Sequence, residues 1–519
     1  MKEKVILSVL ISMFMFPYMS WSDDTLYCEV ESVIQHVDLT LYRYHNVYSK
    51  SPSLLSLWRP TNRSYFDFDY NGGKGGFFHP QSYQKIWMLN FKTESLYHKS
   101  ESPWSFYGQF AYSNGRVDSV RYNLSYDIEL NGSPYYYFMK KAGDWNLQYY
   151  YFDAAASRVI NRKLALAFNI KYKGKQFFRL IDTRNSQTKL ETELKLGATY
   201  TVNKGNSISV TAQYEYDKME PSLSNKFQHS SASEKLLYNI YLNAGMGTYF
   251  KAVTYICVTT YLVPGVSVQW ISNPSSNHMN SLSYSCRSGK EEWKNKAIYS
   301  AEKENIYSKY EFQDHTVSFA TKRGLTKSTF DGLFDAQILQ GKGFKFNDTS
   351  KKYTQNYNFT NINAEFQTLV TRKESLFDQM SLGVKLDFTK KRDKSYACSM
   401  EYVNALFNVG IRAHMNIKDK YLYVSLHPGY CHNFSKEYDE GIAGDNIYTN
   451  WIGNPVYEFV STNWYCMDAK IGLRSVIDKF PVDFQLNYFL KKTTGGQDVL
   501  GDKTADHFTR MGCKFKIYF

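Results

Sequence analysis

The chain is poor in cysteine, with seven in 519 residues, at 28, 257, 286, 398, 431, 466 and 513. Their number is odd, their spacing is dispersed and no Cys-x-x-Cys occurs, which argues against a disulfide scaffold. Cys257, Cys466 and Cys513 fall in strand-like stretches, where a free thiol serves as a small hydrophobe. Long apolar runs are also missing beyond the first two dozen residues. The most apolar later stretch, "AVTYICVTTYLVPGVSV", carries β-branched Val and Thr together with Pro264 and Gly265, and so reads as strand rather than membrane helix. Acidic residues are in deficit, 49 against 62 Lys and Arg, giving a formal net charge of +13. That excess favours anionic partners such as lipid head groups, lipopolysaccharide phosphates or acidic solutes.

What the chain has in abundance is aromatic side chains, 17% of residues, chiefly 45 Tyr and 35 Phe. An apolar body with a polar tip suits a membrane–water boundary better than a dry core. The opening "MKEKVILSVLISMFMFPYMSWS" places Lys2 and Lys4 before an apolar run from Val5 to Phe16, then small residues at Ser20 and Ser22. This reads as a secretory signal peptide over residues 1–22, its apolar core too short for the ~20 residues of a spanning helix. No lipobox cysteine sits at the expected cleavage site. An exported protein rarely meets nucleic acid, so that anion is set aside.

The recurring unit is a pair of alternating strands with a tight polar turn. In "ETELKLGATYTVNKGNSISVTAQYEYD" one phase reads Leu194, Leu196, Ala198, Tyr200 and Val202, then, after Asn203-Lys204-Gly205-Asn206, Ile208, Val210, Ala212, Tyr214 and Tyr216. Each arm is ~10 residues, the length that crosses a bilayer when tilted. Similar units occur in "KLALAFNIKYK", around Lys418-Asp419-Lys420, and in the stretch from Tyr465 to Leu490. Between them lie longer polar stretches, Lys218 to Glu234, Asn273 to Asn305, Asn433 to Trp451 and Lys491 to His507. The pattern predicts an all-β protein: a transmembrane antiparallel up-and-down barrel of about 16 strands, with 14 to 18 compatible, short periplasmic turns and long extracellular loops. A soluble β-sandwich also alternates, but it explains neither the signal peptide nor the loop asymmetry.

The chain ends "RMGCKFKIYF", alternating to its last residue. Arg510, Gly512, Phe515, Ile517 and the terminal Phe519 resemble the C-terminal β-signal of bacterial outer-membrane proteins, which the barrel assembly machinery reads by edge pairing. "SPSLLSLW", "WSFYGQFAYSNGRVDSVRYN" and "GDWNLQYYYFDAAASRVINRKLALAFNIKYKGK" resemble a poorly characterised domain-of-unknown-function family of Gram-negative outer-membrane barrels. Members begin with something close to Asn-Pro-Ala-Gly-Leu where this chain has Ser51-Pro52-Ser53-Leu54-Leu55, and a related segment occurs in hatch-bearing transporters similar to the long-chain fatty-acid channel. The resemblance implies fold and location, an integral protein of the bacterial outer membrane, rather than activity.

Candidate chemistry is sparse. Ser425, His427, Cys431 and His432 in "SLHPGYCHNF" could suggest a Ser–His pair or a metal site at a strand's upper end, but no nucleophile elbow or third orienting group accompanies them. "NGGKGGFF", Asn71 to Phe78, lacks the Walker ending of a phosphate-binding loop and reads as a flexible loop between the first two strands. Lys163, Lys171, Lys173, Lys195, Lys470, Arg474, Lys514 and Lys516 fall on the polar phase of their strands and are candidate lumen-lining cations. Glu193, Glu215, Asp468 and Asp483 share that phase, so a salt-bridged, closed interior is the competing reading. Val30, Val33, Ile34 and Val37 are spaced as on a helix, so residues 23–59 read as a plug or periplasmic segment before a barrel over 60–519. A receptor of the TonB-dependent kind would need a far longer plug domain.

The expectation is therefore a non-enzymatic barrel without cofactor or metal, passing small solutes or serving as an accessory component of an uptake or secretion complex. Its expected partners are outer-membrane lipid and lipopolysaccharide, the assembly machinery, and other outer-membrane proteins or lipoproteins.

Overall fold

The structure, a computed structural model, describes residues 38–519 apart from 59–61, 99–100, 126–127, 129, 225–235, 252–256, 274–276, 296–305, 348–349, 351, 373–374, 418–419, 478–479 and 495–505. The expected signal peptide, Cys28 and the apolar positions from Val30 to Val37 lie outside the described residues.

Alternation becomes strand almost throughout. In chain order come β1 (Arg63–Gly75), β2 (Lys85–His98), β3 (Trp104–Val120), the short β4 (Tyr136–Phe138), β5 (Gly143–Val159), β6 (Leu164–Phe178) and β7 (Arg184–Asn203). Then follow β8 (Asn206–Ser224), the short β9 (Tyr241–Asn243) and β10 (Tyr249–Lys251), β11 (Cys257–Ser272), β12 (His278–Asn295), β13 (Ile306–Gly324) and β14 (Ser328–Asn347). The last are β15 (Lys352–Arg372), β16 (Phe377–Asp393), β17 (Cys398–Ile417), β18 (Lys420–Asp439), β19 (Trp464–Ile477), β20 (Phe480–Thr493) and β21 (His507–Tyr518). Eighteen of these form one sheet, each strand antiparallel to its neighbours, and β21 closes on β1 from Tyr65 opposite Tyr518 to Gly75 opposite Phe508. The barrel thus has 18 strands, the top of the expected 14–18.

Closure removes every sheet edge, and the pleat then sorts the side chains. Phe66 and Phe68, Leu194 and Leu196, Leu426, Leu486 and Phe515 stand exposed on the outer wall, an apolar belt that water does not tolerate at this extent. No described helix is long and apolar enough to cross a membrane; the crossing is made by strands.

Turns such as Lys204-Gly205, between β7 and β8, crowd one end of the barrel, and the long connections crowd the other. Asn203 fixes its turn locally, its Oδ1 accepting from the backbone N–H of Gly205 at 3.0 Å and of Asn206 at 2.9 Å.

Two sequence expectations are corrected. The polar stretch Asn273 to Asn305 contains all of β12, whose lumen phase is Ser281, Ser283 and Ser285 against outward Leu282 and Tyr284; a strand with a hydroxyl-rich inner face looks like a loop when only polarity is counted. The glycine tract Asn71 to Gly75 is the end of β1, paired on both sides with β2 and β21. A bare backbone there is held by ladder bonds rather than left flexible.

At the long-loop end, the connection between β3 and β5, the segment carrying β9 and β10, and residues 440–463 fold inward over the bore. β4, β9 and β10 make a small sheet of their own. Tyr136, Tyr137, Phe138, Leu242 and Met246 are buried there against Trp145, Trp293, Tyr310 and Phe359 of the barrel wall. Gly132 shows why the chain needs glycine at this roof: its φ is +79°, and a Cβ would land on the Phe359 ring.

Candidate functional site: the lumen segment and its seat

Residues 38–58 lie inside the barrel at the short-turn end. The chain forms a helix over 38–46, 3₁₀ turns at Tyr48–Lys50 and Pro52–Leu54, and a helical turn at Leu55–Trp58. Pro52 opens its turn where its missing N–H costs nothing. The Tyr48 and Trp58 rings stack at 4.0 Å, folding the segment on itself.

The segment touches strands around the bore. Arg43 donates from Nε and Nη2 to Asp331 Oδ1 and Oδ2 of β14, both at 2.9 Å, the bidentate geometry that makes guanidinium–carboxylate pairs strong. Lys50 Nζ reaches Asp335 on the same strand at 2.8 Å. On the other side, His45 Nε2 lies 2.5 Å from Glu94 Oε1 of β2. Glu94 is buried and also accepts from Tyr65 at 2.7 Å, Tyr107 at 3.0 Å and Lys92 at 2.8 Å. Tyr44 stacks on Tyr107 of β3 at 4.1 Å. Gln269 of β11 donates to the Val47 carbonyl at 3.1 Å, and Tyr48 OH donates to Met279 Sδ of β12 at 3.4 Å.

The Ser-Pro-Ser-Leu-Leu stretch has its own seat. Ser51 Oγ bonds Ser209 and Thr211 of β8, the latter at 3.0 Å, and Ser53 Oγ bonds Thr199 of β7 at 2.7 Å. Ser157 of β5 donates to Ser56 Oγ at 2.8 Å. Only short side chains let the segment lie this close. At Gly197 a Cβ would meet Ser53 Oγ at 3.1 Å and Pro52 Cγ at 3.5 Å.

Asp38 anchors the segment's start to the closing seam. Lys516 lies 3.4 Å away, Arg474 3.5 Å, and Tyr518 OH donates at 3.3 Å. Burial alone would raise its carboxyl, but Lys516, then Arg474 and Arg412, outweigh that and hold it below the ordinary 3.8. Beside it runs a buried network on β16–β20: Arg412 Nε donates to Asp378 at 2.9 Å, Tyr421 to Asp378 at 3.0 Å, Tyr423 to Asp483 at 3.1 Å, and Arg474 Nε to Asp483 at 3.2 Å. The Arg474 guanidinium also lies over the Tyr423 ring at 4.7 Å.

The candidate lumen cations divide. Lys171 and Lys195 both contact Glu193, at 3.0 and 3.1 Å, and Lys173 contacts Glu191 at 3.0 Å. Lys470 pairs with Asp468 at 3.2 Å, Lys514 with Asp67 at 2.6 Å, and Arg474 and Lys516 with the acids just described. Glu215 faces Arg287 at 3.7 Å. Lys163 is placed elsewhere, exposed in the turn before β6. Of the terminal residues, Phe515 and Phe519 are exposed on the outer wall, with Ile517 in the same phase, whereas Arg510 and Gly512 belong to the inner phase.

Ser425 and His427 share the lumen face of β18, Ser425 Oγ 3.3 Å from His427 Nδ1, but in the half of the strand near the short turns rather than at its upper end. His432 is packed on Tyr430 and Phe434 of the outer wall, on the opposite face. The strand pleat therefore separates this His from the pair. Among the described residues no group of three or more His, Cys, Asp or Glu is placed to hold a metal.

Sequence reading missed Arg43, His45, Glu94, Asp331 and the seat. A signal was present: Ala155 and Ser157, Gly197 and Thr199, Ser207 to Thr211 put small residues on one phase of neighbouring strand ends, a wall made thin for something to lie against it.

A closed antiparallel barrel with an apolar outer belt and a polar, occupied bore defines an integral barrel protein of the outer membrane. The chain belongs to the family described as DUF6850, a family of unknown function, whose model matches residues 52–519. No curated protein matches it in sequence. Among solved structures it is similar to a mutant of the ferric enterobactin receptor PfeA from Pseudomonas aeruginosa, at 8% identity over 88% of this chain and 80% of that one, TM-score 0.40. It is also similar to the ferric-catecholate import receptor Fiu from E. coli K12, at 8% identity over 88% and 81%, TM-score 0.41, and to the unliganded ferric citrate transporter FecA, at 7% over 87% and 78%, TM-score 0.41.

Proposed function

We propose that this protein is a non-enzymatic, gated conduit for small polar solutes, with residues 1–22 a signal peptide, 23–59 a plug and 60–519 the barrel. The observation that carries the proposal is the lumen segment itself. One contiguous stretch bridges opposite walls of the bore, and much of what holds it is side-chain polar bonding, which water or a polar solute can replace. Above it, the lysines of β6 and β7 share their carboxylates, so the opened passage is expected to select weakly between anions and cations. The terminal pattern Arg510, Gly512, Phe515, Ile517 and Phe519 is read, on this proposal, by the assembly machinery while β21 is still an unpaired edge.

The test is conductance of the refolded protein in a planar bilayer under a salt gradient. The intact barrel is expected to be nearly silent. R43A with K50A, which removes both ion pairs between the segment and β14 and leaves Asp331 with Lys322 opposite it, should produce frequent openings, and deletion of 38–58 a steady conductance with a reversal potential near zero. A second reading is an accessory barrel within a larger surface complex, favoured by the roof, where three loops share one buried aromatic core. If the deleted barrel inserts, is folded and stays silent, the conduit reading is wrong and the accessory one stands.

A further inference from the structure

The outer wall carries a polar concavity of about 890 Å³ across β11–β15, with Lys394 beside it. Its lining shows which side it is on. Strands contribute runs of three, such as Gln340-Gly341-Lys342, in which the first and third residues have the outward phase and the middle one the inward phase.

Register arranges this face in rows. Lys290 is opposite Glu311, Glu311 opposite Lys342, Lys342 opposite Asn358, and Asn358 opposite Arg392. At about 4.8 Å per strand, the cations Lys290, Lys342 and Arg392 stand roughly 10 Å apart along the wall. One step toward the membrane the row is Ser288, Gln313, Gln340, Thr360 and Lys390, neutral hydrogen-bonding groups with one more cation. The next step reaches Ile338, Ile362 and Phe388, the upper margin of the apolar belt. Lys290 is paired with Glu292 at 2.6 Å and Lys390 with Glu401 at 2.6 Å. Lys342 and Arg392 are exposed and make no ion pair among the described residues.

We propose that this face docks a phosphorylated glycolipid of the outer leaflet, a lipopolysaccharide molecule. Its phosphates lie on Lys342 and Arg392, its sugar hydroxyls on the Gln313, Gln340 and Thr360 row, and its acyl chains on Ile338 and Ile362 below. The charge, the hydroxyl-matching amides and the continuity with the apolar belt occur in the order in which such a lipid presents phosphate, sugar and chain. Free phosphate would use the cations alone and has no use for the other two layers.

The experiment titrates the full-length barrel in detergent micelles with diphosphoryl lipid A and with the same lipid after enzymatic dephosphorylation. The expected result is at least tenfold tighter binding of the phosphorylated form, weakening with added salt. K342Q/R392Q should lose about tenfold of that affinity, whereas K85Q, at an exposed lysine on the opposite side of the barrel, should lose none. Heat-modifiable gel mobility reports folding of each variant. Equal affinity for the two lipids, or an unchanged affinity in folded K342Q/R392Q, overturns the proposal. So does competition by inorganic phosphate as effective as by lipid A, which would make the patch a plain anion site.

Discussion

At the scale of single residues, the end of the chain explains its own composition. Phe519 exchanges backbone hydrogen bonds with Ser64, donating at 2.8 Å and accepting at 3.3 Å, and its ring meets Phe66 edge-on at 5.2 Å and Phe480 at 5.1 Å. The last side chain thus joins the first and the penultimate hairpin strands. Two ring contacts of about 0.5–1.5 kcal/mol each predict that F519A lowers the unfolding free energy of the refolded barrel by about 1–3 kcal/mol in urea titration. A change below about 0.5 kcal/mol would show that the ring pairs contribute little. Asp38 gives a pH prediction. Its carboxyl is held below 3.8 when the segment is docked, so its contribution to docking is fully present well above that value and is lost as pH falls through and below it. Channel openings should therefore rise in wild type below about pH 4, and the difference between wild type and D38N, present at pH 7, should vanish in acid. Such residues were legible in part. The phase of Lys171 or Lys514 follows from counting by two, but the acid each one meets depends on which strands are neighbours.

At the scale of elements, the two ends of the bore are built by different physics. The roof is an aromatic core, in which Tyr310 OH donates to the Asn131 carbonyl at 2.7 Å and Tyr135 OH to that of Phe344 at 3.1 Å. The lumen segment mixes an apolar cluster around Leu54 and Leu55 with ion pairs and hydroxyl contacts. G132A should loosen the roof by at least about 1 kcal/mol, since it sets both a left-handed backbone and an overpacked ring against the native fold; limited proteolysis within 121–142 should speed up, with the strand ladders still protected. If cleavage is unchanged, Phe359 has room to yield. The hairpin of β7 and β8 was readable to its turn because each arm alternates and Asn-Lys-Gly-Asn can only turn. β12 was not, because its lumen face is serine and its polarity is that of a loop.

At the scale of the whole molecule, the sequence by itself determined the class of architecture. A period of two, repeated with short turns and aromatic-rich outer phases, forces strands with one wet and one greasy face, and a closed membrane barrel is the arrangement that gives the greasy face its solvent and satisfies every backbone group. It also placed the terminal strand, since β21 closing on β1 only completes a ladder that the alternation already demands. Strand count came within its range because long strands and polar inner faces blur the boundaries that counting relies on. What only the tertiary structure decided is the state of the bore. Closing 18 strands brings β14 opposite β2, and so lets Arg43 and His45, two residues apart, reach Asp331 and Glu94 on opposite walls. It also brings Lys342 and Arg392 into one row at the margin of a concavity lined by Lys342 and Asn358. Spacing along a chain carries the pleat, which is local; it carries no record of curvature, and curvature sets which side chains share a space.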